Sequence, residues 1–112
     1  MKKIEAIIRR SKYRTVRDAL HTKGINFFSY WDVTGIGNEQ KGKVYRGISY
    51  STSDIQRRVL SIVVNDEFEQ LAIDTILEYA KTGEVGDGKI FVSDIKDAYR
   101  IRTGDKGRET LS

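Results

Sequence analysis

The chain contains no cysteine and no proline, and it has one histidine, one methionine and one tryptophan among 112 residues. Without cysteine it forms no disulfide, offers no thiolate to a metal and carries no cysteine nucleophile. With His21 as the single histidine, neither a histidine-rich metal site nor a Ser-His triad is expected within one chain. There is no run of about 18 apolar residues to span a bilayer and no signal-peptide pattern, so the cytoplasm is the expected compartment. The lack of proline leaves glycine and apolar periodicity as the only punctuation.

What is present describes one soluble domain. Apolar residues make up 38% and charged residues 32%, and single domains commonly run to about 100–150 residues. A chain of this size buries only roughly two-thirds of its unfolded surface, so self-association would add core. Twenty Lys and Arg against sixteen Asp and Glu give a net charge of +4. That balance suits anionic partners, nucleotides and RNA included, without choosing among them.

The most concentrated chemistry lies in Thr82-Gly-Glu-Val-Gly-Asp-Gly-Lys-Ile-Phe-Val92. Glycine reaches positive φ and lets backbone amides converge on an anion, and a following lysine adds a point charge. Gly83 to Lys89 reads G-x-x-x-x-G-K, the outline of a Walker A loop. That motif requires Ser or Thr after the lysine, a strand before it and a helix after it. Here Ile90 follows, and the expected order is helix, loop, strand, so the P-loop reading fails. A phosphate cradle and a plain helix C-cap with a tight turn both remain open.

In chain order, Lys2 to Arg9 reads as a strand with Ile4, Ala6 and Ile8 on one side. Ser11 is placed to cap a helix through Leu20 with inner stripe Tyr13, Val16, Ala19 and Leu20, His21 in its last turn and Gly24 as its stop. Ile25 to Val33, rich in aromatic and β-branched residues, reads as the second strand. A long polar stretch from Gly37 to about Gln56 follows. Between Gly35 and Arg58 it carries five cations against two anions, with Tyr45 and Tyr50, and reads as a recognition surface ahead of the alternative, a floppy basic loop. Val59 to Val64 reads as a third strand buried on both faces. Asp66 and Glu69 suggest a capping box for a helix burying Phe68, Leu71, Ala72, Ile76 and Ala80. Ile90 to Ile95 is the expected fourth strand. The order βαββαβ predicts an α+β, ferredoxin-like sandwich with both helices on one face of an antiparallel sheet.

Four ordered motifs give this frame a family resemblance from Met1 to about Lys106. Met1-Lys-Lys-Ile-Glu-Ala-Ile-Ile8 resembles the first strand of the PII nitrogen-regulatory signal proteins. Tyr45-Arg-Gly-Ile-Ser-Tyr50 is similar to the tip of their T-loop, Thr82 to Val92 to their B-loop, and Ile101-Arg-Thr-Gly104 to their C-loop. The resemblance implies a single domain over residues 1–112, with a T-loop at about 37–56, a B-loop at 82–89 and a C-loop at about 97–112. It also implies a compact homotrimer with an ATP or ADP site in each cleft between subunits. Gly86, Asp87, Gly88 and Lys89 would hold phosphates from one side, and Arg100 and Arg102 would approach from the neighbouring subunit. Ser29, Gly35, Ile36, Gly37 and Val63 would border adenine and ribose.

By the same resemblance, 2-oxoglutarate would bind with Mg-ATP at the T-loop base. Gln40, Lys41 and Arg57 would bind the oxoacid, with Gln40 also ligating the metal and Arg57 pairing with the oxoacid carboxylate. Tyr50 matches a tyrosine that some bacteria nucleotidylate. The implied function is non-catalytic control of nitrogen metabolism. The T-loop would read a partner such as an ammonium transporter or a nitrogen-metabolism enzyme, with membrane contact only through a transporter. A specialised paralogue acting on nitrogenase or another transport system is the alternative within the family. An RNA-binding module of the same topology is the alternative outside it, and the third strand lacks the aromatic residues such modules stack on bases. No nucleophile–base pair or paired carboxylate points to an enzyme. Glu84 places a negative charge where the family commonly has a basic residue, and Asn38 stands where many members have arginine.

Overall fold

The computed structural model describes residues 1–37 and 53–111. The elements are β1 (Lys2–Ile8), α1 (Tyr13–Thr22), β2 (Ser29–Gly37), β3 (Ser53–Val64), α2 (Glu69–Ala80) and β4 (Lys89–Asp94). Short 3-10 turns at Arg10–Lys12 and Asp66–Phe68 lead into the two helices, and a third lies at Arg108–Leu111. The strands form one sheet in the order β2-β3-β1-β4, antiparallel throughout. This is the expected βαββαβ, ferredoxin-like α+β fold.

Alternation along the strands decides which face is covered. Ile4, Ala6 and Ile8 of β1 and Leu60, Ile62 and Val64 of β3 form one core with Val16 and Leu20 of α1 and Ala72, Ile76 and Ala80 of α2. Each fully buried Val, Leu or Ile side chain contributes about 1.5–3 kcal/mol. The opposite parity, including Ile7, Val59, Ser61 and Val63, lies on the face without helices. Of these four only Val59 is buried, so the double-sided burial expected of β3 holds fully on the helix side alone. At the β2 edge, the Arg58 guanidinium sits 4.5 Å from the Tyr13 ring and 4.7 Å from the Tyr30 ring. Its Nε donates to Asp32 Oδ1 at 2.7 Å, fastening α1 to the β2–β3 pair.

Several boundaries differ from the sequence expectation for identifiable reasons. β2 starts at Ser29, not Ile25, because Ile25 closes α1. Its N–H donates to the Leu20 carbonyl (2.9 Å), the Gly24 N–H donates to that of His21 (2.9 Å), and Gly24 has φ +85°. That is a Schellman stop, in which the apolar residue after the glycine packs back on the helix. β3 starts at Ser53, not Val59, because the ladder continues through Thr34↔Gln56 and Gly35↔Ile55 to Gly37↔Ser53. The polar run Gln56-Arg57-Arg58 had masked that pairing.

The capping residues also differ. Ser11 lies inside a 3-10 turn, and α1 begins at Tyr13 with no side-chain cap. Asp66 caps nothing: its carboxylate accepts from the Met1 amine at 2.8 Å, a full charge in place of a peptide N–H. Phe68 sits in the turn before α2 and is 41% exposed, outside the stripe it was expected to join.

Candidate functional site

The loop between α2 and β4 is shaped by one carboxylate. Asp87 Oδ2 accepts the backbone N–H groups of Thr82 and Gly83, each at 2.9 Å. Asp87 Oδ1 accepts the Thr82 hydroxyl and, at 3.0 Å, Arg9 Nε. The Thr82 hydroxyl, then the two backbone donors and Arg9, hold the Asp87 carboxyl well below the usual carboxylate range against the opposing effect of desolvation. The aspartate is therefore the organiser of the loop, and its charge is spent internally. Arg9 Nη2 adds a bond to the Val85 carbonyl at 3.0 Å.

Glycine at position 88 follows from packing as well as from dihedral angle. Gly88 has φ +107°, and a Cβ there would lie 1.7 Å from the Ile7 carbonyl oxygen. No side chain fits between this loop and the central strand β1. Gly86 also has positive φ (+100°). Lys89 begins β4 opposite Ile7, on the face without helices.

These groups open onto a pocket of about 490 Å³ on that face. One wall is Gly86, Asp87, Gly88 and Lys89, and the other is Val33, Gly35, Ile36, Gly37 and Ile55 at the end of the β2–β3 ladder. Ile7 forms the floor and Arg57 and Glu84 stand at the sides. Arg57 donates to the Gly86 carbonyl from Nε (3.2 Å) and Nη2 (3.0 Å). Apolar walls, a glycine loop and two cations form a receptacle suited to a ring system carrying phosphates.

The other predicted residues lie elsewhere in the chain. Ser29 pairs with Ser61, and Val63 pairs with Lys3 near the start of β1. That point lies roughly 17 Å along the sheet from the glycine loop, at about 3.4 Å per residue. Arg100 and Arg102 belong to the same far end. Their segment is tied to it by Asn65 Nδ2 donating to the Arg108 carbonyl (3.1 Å) and by Ile95 N–H donating to the Met1 carbonyl (3.1 Å). Arg100 donates to Asp105 Oδ2 (3.3 Å) and to the Glu109 carbonyl (3.1 Å), and Arg102 is exposed. Val63 lines a second pocket there, of about 390 Å³, with Phe27, Phe68 and Arg108.

One chain thus brings Gly35, Ile36, Gly37, Arg57 and Gly86 to Lys89 together at one end. It holds Val63, Arg100 and Arg102 at the other, with Ser29 in the middle row of the sheet, opposite Ser61 and in line with Glu5. Gln40, Lys41 and Tyr50, and with Gln40 the metal assignment, lie outside the described residues. Among the described residues no group of three or more His, Asp or Glu side chains could hold a metal ion.

Sequence reasoning missed Arg9, Thr82 and Ile7 as parts of the site. A hydroxyl five residues before an aspartate was a local signal for Thr82. Arg9 and Ile7 become visible only with the β1–β4 register.

Comparison with known proteins shows the family. Residues 1–105 match the family model described as Nitrogen regulatory protein P-II. The Nitrogen regulatory protein P-II 1 of Methanothermobacter thermautotrophicus is 46% identical, over 99% of this chain and 97% of that protein. The Nitrogen regulatory protein P-II of Bradyrhizobium diazoefficiens is 42% identical and that of Nostoc punctiforme 43%, each over 99% of this chain and the whole of the relative.

Proposed function

Because the chain belongs to the nitrogen regulatory protein P-II family, we propose that it is a non-catalytic regulator whose sensor is an ATP/ADP site shared between two subunits. The carrying observation is the separation of the site residues into two halves at opposite ends of one sheet. A cradle of glycines with Lys89 and a far end with Arg100 and Arg102 form one phosphate cage only if a second copy supplies the missing half. The face of the sheet without helices, half-covered at Ser61 and Val63, is the surface such copies would bury in a trimer. The residues present fit a nucleotide. Gly88 leaves backbone where a side chain would stand, Lys89 and the two arginines supply positive charge, and Gly35, Ile36 and Val33 give an apolar wall for a base.

In this reading, Mg²⁺ and 2-oxoglutarate join ATP at the root of the loop spanning residues 38–52, through Gln40, Lys41 and Arg57. Magnesium would supply positive charge between the phosphates and the oxoacid. The loop would report occupancy to an ammonium transporter or another nitrogen-metabolism protein in the cytoplasm. ATP with the oxoacid and ADP redistribute the loop's arrangements only to the extent that each binds them unequally. An RNA-binding role lacks support, since the central strands present Lys3, Glu5, Ile7, Val59, Ser61 and Val63 on the open face, none of them aromatic.

Chain mixing tests the shared site. Lys89→Ala and Arg102→Ala each weaken ATP binding severalfold or more while self-association persists. Refolding the two variants together in equal amounts regenerates about a quarter of the sites at wild-type affinity, because random neighbours then pair an intact cradle with an intact arginine. Titration calorimetry that finds no regenerated sites, with light scattering confirming mixed oligomers, refutes the shared arrangement.

A further inference from the structure

Two arginines, one just past β1 and one on β3, grip the glycine loop, and they do so differently. Arg9 follows β1 and holds the Asp87 carboxylate and the Val85 carbonyl. Arg57 rises from β3, four residues after the chain re-enters the sheet at Ser53, and closes Nε and Nη2 on the Gly86 carbonyl oxygen. Its Nη1 donates to the Gln56 carbonyl at 2.8 Å, which fixes the orientation of the fork. A planar guanidinium held in this way constrains an acceptor in two directions, whereas an ammonium on a flexible stem does not. The oxygen it grips belongs to a glycine at φ +100°, a position where the backbone has more freedom to lose than at any other residue type.

We propose that Arg57 is a positioning residue for the phosphate loop: by clamping the Gly86 carbonyl it sets the seat of the nucleotide's phosphates before any oxoacid is bound. This role is separate from pairing with a ligand carboxylate, and it rests on the nucleotide-site reading above. If Arg57 served only an oxoacid, its removal would leave nucleotide binding alone. As a clamp, its removal loosens residues 82–89 and weakens nucleotide binding with no oxoacid present. Lysine at 57 keeps the charge and loses the fork, so it restores only part of the effect.

The test uses the full chain in four forms: wild type, Arg57→Ala, Arg57→Lys and Gln56→Ala. Gln56 shares the strand, but its side chain accepts from Arg10 on the opposite face, so its variant reports general damage to β3. ADP affinity is measured by calorimetry without oxoacid or divalent metal, and amide hydrogen exchange over residues 82–89 is followed without nucleotide. Arg57→Ala is expected to weaken ADP about three- to tenfold, the scale of a charge-assisted hydrogen bond in a partly exposed setting. Arg57→Lys falls between it and wild type, exchange over the loop accelerates in both, and Gln56→Ala matches wild type.

Unchanged ADP affinity in Arg57→Ala overturns the proposal, as does an equal loss in Gln56→Ala. If the wild type itself binds no ADP, the nucleotide reading fails, and the exchange measurement alone decides the clamp. Faster exchange over 82–89 in Arg57→Ala then supports it, and unchanged exchange removes it.

Discussion

At the glycine-loop end of the sheet, charge is turned inward. Asp87 satisfies the start of its own loop, Arg9 and Arg57 hold backbone carbonyls, and Gly88 lies against β1 with no room for a methyl group. At the far end, charge is left on the surface. Arg108 pairs with Glu67 and Arg100 with Asp105 as exposed ion pairs, while Arg102 stands in solvent. On the proposed reading, a loop that receives phosphates needs its shape fixed in advance, because ordering it on binding would cost affinity. An arm that would complete the cage from a neighbouring copy would need available charge more than rigid form.

The sharpest way to break this contrast is Gly88→Ala. Positive φ and the clash with the Ile7 carbonyl should together cost about 3 kcal/mol or move the loop off β1. Denaturant unfolding and ADP titration would both register it, and a stable variant with normal binding would show that the tight approach is dispensable. Next is Asp87→Asn, read through pH. The folded carboxyl titrates below its unfolded value, so its contribution is fully present above the unfolded pKa of about 3.9 and is lost as pH falls through the folded value. Wild-type stability should therefore fall on acidification below about pH 4, and part of that fall should vanish in Asp87→Asn. Identical acid profiles would remove Asp87 as the organiser. The smallest effect on stability belongs to Arg102→Ala at the open end, expected within about 0.5 kcal/mol of wild type, while ATP affinity drops. A large loss of stability there would mean that the two ends are built alike.

Local signals made much of this legible. The apolar periods of α1 and α2, the Gly24 stop and the Thr82–Val92 glycines placed the elements and one wall of the site, because each depends on residues a few positions apart. What escaped depends on pairing across the sheet. Ile25 looks like strand because of its side chain, and only the bond from its N–H to the Leu20 carbonyl assigns it to the helix end. Gln56, Arg57 and Arg58 look like loop because they are polar, yet the ladder with β2 runs through all three. Asp87 is expected by resemblance to help hold phosphates, whereas its side chain is bound to Thr82, Gly83 and Arg9. The separation of the expected site residues along the sheet follows from strand direction and register, which periodicity does not encode.

The last rung of the β2–β3 ladder, Gly37 opposite Ser53, also makes this chain a natural chassis for engineering. Both ends of the intervening segment are pinned at one place by the sheet, so the core is indifferent to what is spliced between them. Doubling the length of such an insert should cost only about 0.6 kcal/mol in closure entropy. A reporter cassette substituted for residues 38–52 would then be joined directly to Gly37 of the pocket wall, where, on the proposed reading, occupancy next door would become an optical signal.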